Sequence, residues 1–244
     1  MINRLELVLN TDKKMDYNIG SVLHGVLMEN VNRDYGDYLH NSRLNPFSQH
    51  VYPNSNGNII WRINTLDKDA YDNLIVPLQN KDKLFLKQRN QEVEVTKKIT
   101  ESTSAVELIK EYYKEQKQQS IYNLQFVTPT NFKLQGEYQL FPELKAIYRN
   151  VMNRFDEFSD EYKIFDEDAL NHLIQKTRIV DFRLKSQRFY LEKTRIPGYV
   201  GNIKVSVKGS SAMESLVGLI FSYSEFSGIG IKTSIGMGGT KLVK

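Results

Sequence analysis

Residues 228–239 read GIGIKTSIGMGG, with glycine at 228, 230, 236, 238 and 239. The run follows an apolar helical stretch near the end of the sequence, and isoleucine and methionine are threaded through it. Apolar residues at that density argue for packing rather than a frayed tail. Two readings stand. In one, Gly228 caps the preceding helix and the other glycines make a packing turn. In the other, positive φ and close backbone approach let successive amide N–H groups converge on an anion. Lys232, Thr233 and Ser234 would then add a cation and two hydroxyls. On that reading Gly228, Gly230, Lys232, Thr233, Ser234, Gly236 and Gly238 are candidate phosphate ligands.

The common nucleotide loops fail on spacing. A P-loop needs G-x-x-x-x-G-K-[ST] after a strand, but Ile231 precedes Lys232 and the element before is a helix. A dinucleotide fingerprint needs a third glycine where Thr233 stands.

Upstream, Ser211 and Glu214 make a capping-box pattern opening a helix with Leu216, Leu219, Ile220 and Tyr223 on one face. NIKVSVKG (202–209) alternates as a strand after the turn-like IPGYVG (196–201), and residues 178–191 alternate basic with apolar. Arg178, Arg183, Lys185 and Arg188 read as a cationic strand face or as ordinary solvated charges. Helical spacing covers 143–158 and 166–175, and a strand covers 121–127. The first half reads as strand 4–9, helix 19–32, strand 58–66, a helix from Asp67 to near Pro77, and strands 83–86 and 93–99. That order matches a ferredoxin-like split βαβ unit. Residues 104–118 read as polar helix or linker, so we expect domains at 1–118 and 119–244.

Net charge is +4, from 33 basic and 29 acidic residues, with 14 tyrosines and 12 phenylalanines. Cations for phosphate and rings for unpaired bases suit an RNA-binding surface. There is no cysteine, so disulfides, thiolate metal sites and cysteine nucleophiles are excluded, and a cytoplasmic location is expected. No apolar run reaches transmembrane length, and MINRLELVLN reads as a strand rather than a signal h-region, so no membrane partner is expected.

The segment EFSGIGIKTSIGMGG (225–239) resembles the C-terminal signature of the CRISPR-associated endoribonucleases that process precursor CRISPR RNA. Matched positions are Gly228, Gly230, Lys232, Thr233, Gly236, Met237 and Gly238. GYVGNIKVSVKG (198–209) and TPTNFKLQGEYQLFP (128–142) resemble the same family. The resemblance implies an α+β chain of two tandem ferredoxin-like (RRM-like) domains, with the glycine loop near an RNA-binding cleft. It implies CRISPR repeat RNA as partner, guide RNA passed to the subunits of an interference complex, and no cofactor. A non-catalytic RNA-binding subunit of such a complex is the alternative.

Metal-free RNA cleavage needs a base for the 2′ proton, an acid for the 5′ oxygen and a cation for the crowded phosphate, and histidine suits either proton role. Four histidines are present. Tyr38-Leu39-His40 matches the family's histidine segment, so the resemblance makes His40 the general acid or base; an exposed loop histidine is the plainer alternative. Some family members carry a tyrosine on the first helix where Met28 stands, and His24, one turn earlier, is the candidate replacement. The family's lysine falls near Pro46, leaving Arg43 as the nearest cation and Lys232 as a distant one. His50 and His172 have no supporting constellation and read as structural. No HExxH occurs, and Asp156/Glu157 and Asp166/Asp168 sit in acidic helical runs, so no metal site is expected.

Overall fold

The computed structural model describes residues 1–11, 13, 15–54, 56–191 and 194–243. Strand β1 (Ile2–Asn10) turns Leu5, Leu7 and Leu9 inward, as the alternation requires. Helices α1 (Gly20–Met28) and α2 (Arg33–Asn41) lead to β2 (Phe47–Pro53) and β3 (Ile59–Thr65). Short helices α3 (Lys68–Ala70) and α4 (Val76–Gln79) flank a π-helical turn at Tyr71–Ile75, and β4 (Lys83–Leu86) and β5 (Gln91–Thr103) follow. The antiparallel sheet runs β2-β3-β1-β5-β4. Its first four strands have ferredoxin-like order, and β4 is added at the edge.

Helix α5 (Ala105–Tyr113) starts at Ser104, whose hydroxyl accepts from Glu107 N–H. It buries Leu108 and Tyr112 in the second core. There β6 (Ile121–Thr130), the hairpin β7 (Phe132–Leu134) and β8 (Glu137–Gln139), α6 (Leu144–Phe158) and α7 (Glu167–Lys176) precede β9 (Thr177–Leu191) and β10 (Thr194–Val207). Helix α8 (Ser211–Ser227), the glycine run and β11 (Thr240–Val243) close the sequence. The second sheet, β11-β6-β10-β9, repeats the ferredoxin-like order without the added strand. The fold is thus two ferredoxin-like units in tandem. Leu5, Trp61 and Leu74 anchor one core, and Phe126, Tyr148 and Phe221 the other.

Three departures from the sequence reading matter. Residues 33–41 are helical although they bury only Leu39, because Asn32 accepts from Tyr35 N–H at 2.8 Å and caps them. Strand β2 escapes an alternation test because Phe47–Val51 are buried on both faces, Ser48, Gln49 and His50 included. Residues 196–201 are strand rather than turn: Pro197 pairs with Arg188, and Gly201, at φ +121°, sits where the β10–β6 register shifts. Among the described residues no helix is long and apolar enough to cross a membrane, and no group of three metal-ligating side chains occurs.

Candidate active site

Helix α8 ends at Gly228, whose N–H returns to Ser224 O. From there the glycine run is threaded through the interior. Ile229 N–H donates to Gly238 O, Ile231 N–H to Asn131 O and Gly238 N–H to Pro129 O. Gly230 N–H donates to Asn150 Oδ1 and Gly239 N–H to Thr128 Oγ1. Gly236 lies against Gly20 of α1, where an added Cβ would come 2.7 Å from Ile235 O. The open anion nest expected at Gly228, Gly230, Gly236 and Gly238 gives way to a packed loop, because protein acceptors take these amides or other backbone covers them. Thr233 and Ser234 are likewise buried, and Lys232 is the member of that set that reaches the surface.

The loop brings His24 into the site. His24 Nδ1 lies 3.1 Å from Ser234 O, and its ring stacks on Phe47 with planes 5° apart. Burial lowers its pKa, the bond to Ser234 opposes that, and the Lys232 charge lowers it further. Asn45 Nδ2 donates to Ser234 Oγ at 3.3 Å, so the segment after α2 also meets the loop. His40 is exposed in the last turn of α2, on a helix rather than the expected loop, and Arg43 is exposed just beyond. Arg43 lines a cleft of about 580 Å³ with Tyr38, Asn150, Asn153 and Glu157. Met28 is half-buried, and Pro46 is interior with its carbonyl accepting from Leu66 N–H.

Sequence reasoning missed Arg154. Its guanidinium, carried on α6, donates to Thr233 Oγ1 and to Asn45 O, both at 3.1 Å. One buried cation therefore ties the second unit to the glycine loop and to the segment after α2. Burial pushes its pKa down to about 10, which still leaves it charged at neutral pH. Its place on the apolar face of an amphipathic helix was the available signal, since a buried arginine needs built acceptors.

The cationic face expected on β9 divides. Register pairs Arg183 with Asn202, Lys185 with Val200 and Arg188 with Pro197. Two-residue alternation therefore puts Arg183 and Lys185 on one face and Arg188 on the other. Lys204, on the Arg183 face, pairs with Asp181 at 3.2 Å.

His50 is interior, and an added Cβ at Gly239 would lie 2.5 Å from its Cγ. Burial, then the charges of Arg62 and Arg4, hold its pKa well below 6.5. Above the unfolded pKa of about 6.5 both states are neutral; below it only the unfolded protein takes the proton. Stability is therefore full above pH 6.5 and falls as pH drops, by up to about 1.4 kcal/mol per pH unit from this group. Urea midpoints between pH 7 and 5 should fall less steeply for His50→Leu than for wild type; parallel slopes would contradict the assignment. His172, on α7, is exposed.

Two ferredoxin-like units meet where the C-terminal glycine loop docks on histidine-bearing α1, an arrangement that fits the class the sequence resembles, the CRISPR-associated RNA endonucleases. The family described as CRISPR-associated endoribonuclease Cas6 matches residues 124–240. A Streptococcus thermophilus CRISPR-associated endoribonuclease Cas6 is 30% identical over 235 residues, covering 95% of this chain and 96% of the relative. The Mycobacterium tuberculosis protein of the same description is 28% identical over 249 residues, covering 99% of this chain and 78% of the relative. The chain belongs to the Cas6 endoribonuclease family. Solved structures agree in fold: a Cas6 product complex superposes with TM-score 0.81 at 21% identity over the whole of both chains. Thermus thermophilus Cas6 does so with TM-score 0.75 at 20% identity, covering 100% of this chain and 98% of that one.

Proposed function

We propose that this protein cleaves CRISPR repeat RNA in precursor transcripts, without a metal, by attack of a ribose 2′-OH on the adjacent phosphate. The products would carry a 5′-hydroxyl and a 2′,3′-cyclic (or 3′-) phosphate, and the guide RNA would pass to an interference complex in the cytoplasm. The observation that carries this reading is the contact of His24 with the Ser234 carbonyl, with exposed Lys232 on the same loop. His24, held neutral by burial, takes the 2′ proton; His40, open to solvent at the end of α2, protonates the leaving 5′ oxygen. Lys232 and Arg43 supply positive charge for the phosphate. Residues 1–118 would then hold the proton-transfer groups, and 119–244 the glycine loop and the Arg183–Lys185 surface, with Arg188 on the reverse face.

Incubating the protein with labelled repeat RNA in EDTA tests the chemistry. Cleavage should proceed at the rate seen without chelator. The downstream fragment should accept a 5′ phosphate from polynucleotide kinase without prior dephosphorylation. Cleavage that requires added Mg²⁺, or fragments with 5′ phosphates, would overturn the mechanism.

A further inference from the structure

The Ser234 carbonyl accepts from two directions. His24 Nδ1 approaches it at 3.1 Å, and Gln49 Nε2, from the middle of β2, at 3.2 Å. The same Gln49 nitrogen also donates to Gly20 O at 2.8 Å, and Gln49 Oε1 accepts from Trp61 Nε1 at 2.8 Å. Gln49 and Trp61 are both fully buried. An indole nitrogen can only donate, so it fixes which end of the Gln49 amide is oxygen. The NH₂ group must then face Gly20 O and Ser234 O. A carbonyl has no proton to give, so His24 meets Ser234 with a protonated Nδ1 and keeps its lone pair on Nε2. The backbone reinforces the arrangement, because Gln49 N–H donates to Thr233 O at 3.0 Å.

We propose that Gln49, oriented by Trp61, is a positioning residue that sets the Ser234 carbonyl and so holds His24 as the Nδ1–H tautomer, with Nε2 free to accept the 2′ proton. This rests on the reading of His24 as a proton-transfer group. The arrangement explains why a glutamine and a tryptophan lie in the interior beside a loop from the opposite end of the sequence. Neither side chain touches the reacting atoms; both act through the loop carbonyl.

The test uses full-length protein labelled with ¹⁵N-histidine, in which long-range ¹H–¹⁵N spectra report the tautomer of each ring. His24 is assigned by the signal lost in His24→Gln. Wild type should show His24 protonated at Nδ1 at neutral pH, and the Nε2–H form there would overturn the proposal with no variant needed. In Gln49→Met, which keeps the length and removes both polar atoms, the Nε2–H form should appear. Single-turnover cleavage of repeat RNA should fall by about ten- to a hundredfold, the loss typical of an outer-shell partner, with KM nearly unchanged. An unchanged tautomer and unchanged cleavage in a folded Gln49→Met protein would refute the positioning role. A His24→Ala protein that cleaves at the wild-type rate would instead remove the underlying reading, and the role with it, whatever the tautomer.

Discussion

Alanine at position 40 is expected to slow cleavage of repeat RNA by about 10²- to 10⁴-fold, the range lost with a general acid or base. Binding should change little, because His40 is one exposed ring at the end of α2 and, on the proposed reading, phosphate contacts would be spread over other cations. His24→Ala should show a loss of the same order but a different pH signature. The pKa of His24 is lowered, so its base form persists to more acid pH than an ordinary histidine of about 6.5. The acid limb of the wild-type rate profile should therefore lie below pH 6.5 and disappear in His24→Ala. If the two residues act in one proton-transfer cycle, the double variant should be scarcely slower than either single one. Single-turnover rates between pH 5 and 8 read all of this. Undiminished cleavage by His40→Ala would remove it from the catalytic set and leave His24 and Lys232 to be tested alone.

Much of the fold was legible in the sequence because regularly spaced apolar residues advertise strands and helices. Strand β1 sends Leu5, Leu7 and Leu9 into one core, so they alternate; α8 carries its apolar run, but its N-cap is Ser210 with no side-chain bond, and the expected Ser211–Glu214 capping box does not form. Elements whose buried faces carry polar side chains were hidden. Strand β2 buries Ser48, Gln49 and His50 against the second unit, and polar residues at buried positions erase the period that marks a strand. Arg154 was hidden for the same reason: its partners, Asn45 and Thr233, lie 109 and 79 residues away. The candidate site was legible as residue types at His24, His40 and Lys232. Its assembly was not, because the decisive acceptor is a main-chain carbonyl, Ser234 O, which no residue pattern encodes. The glycines were visible as a motif, yet their work differs from the phosphate nest they suggested.

That work sets the second large effect. Gly238→Ala should destabilise the protein by about 2–5 kcal/mol. Gly238 sits at φ +69°, and an added Cβ would lie 2.1 Å from Ile229 O, a backbone atom that cannot swing aside. A non-glycine residue in the left-handed region already costs about 1–2 kcal/mol. Relieving the overlap must also move the pair Ile229 N–H to Gly238 O and the bond from Gly238 N–H to Pro129 O. Each such bond contributes about 0.5–1.5 kcal/mol net. Gly25→Ala is the matched control: Gly25 lies inside α1 with nothing near an added Cβ, so the same substitution should stabilise by up to about 1 kcal/mol. Urea midpoints at constant m-value read both signs. Displacing the loop also displaces Ser234, so Gly238→Ala protein that remains folded should lose cleavage while Gly25→Ala keeps its fold. Equal midpoints for Gly238→Ala and wild type would show that the loop is not packed as described, and the contact of His24 with Ser234 would lose its foundation, because both rest on the same threading of residues 228–239 through the interior.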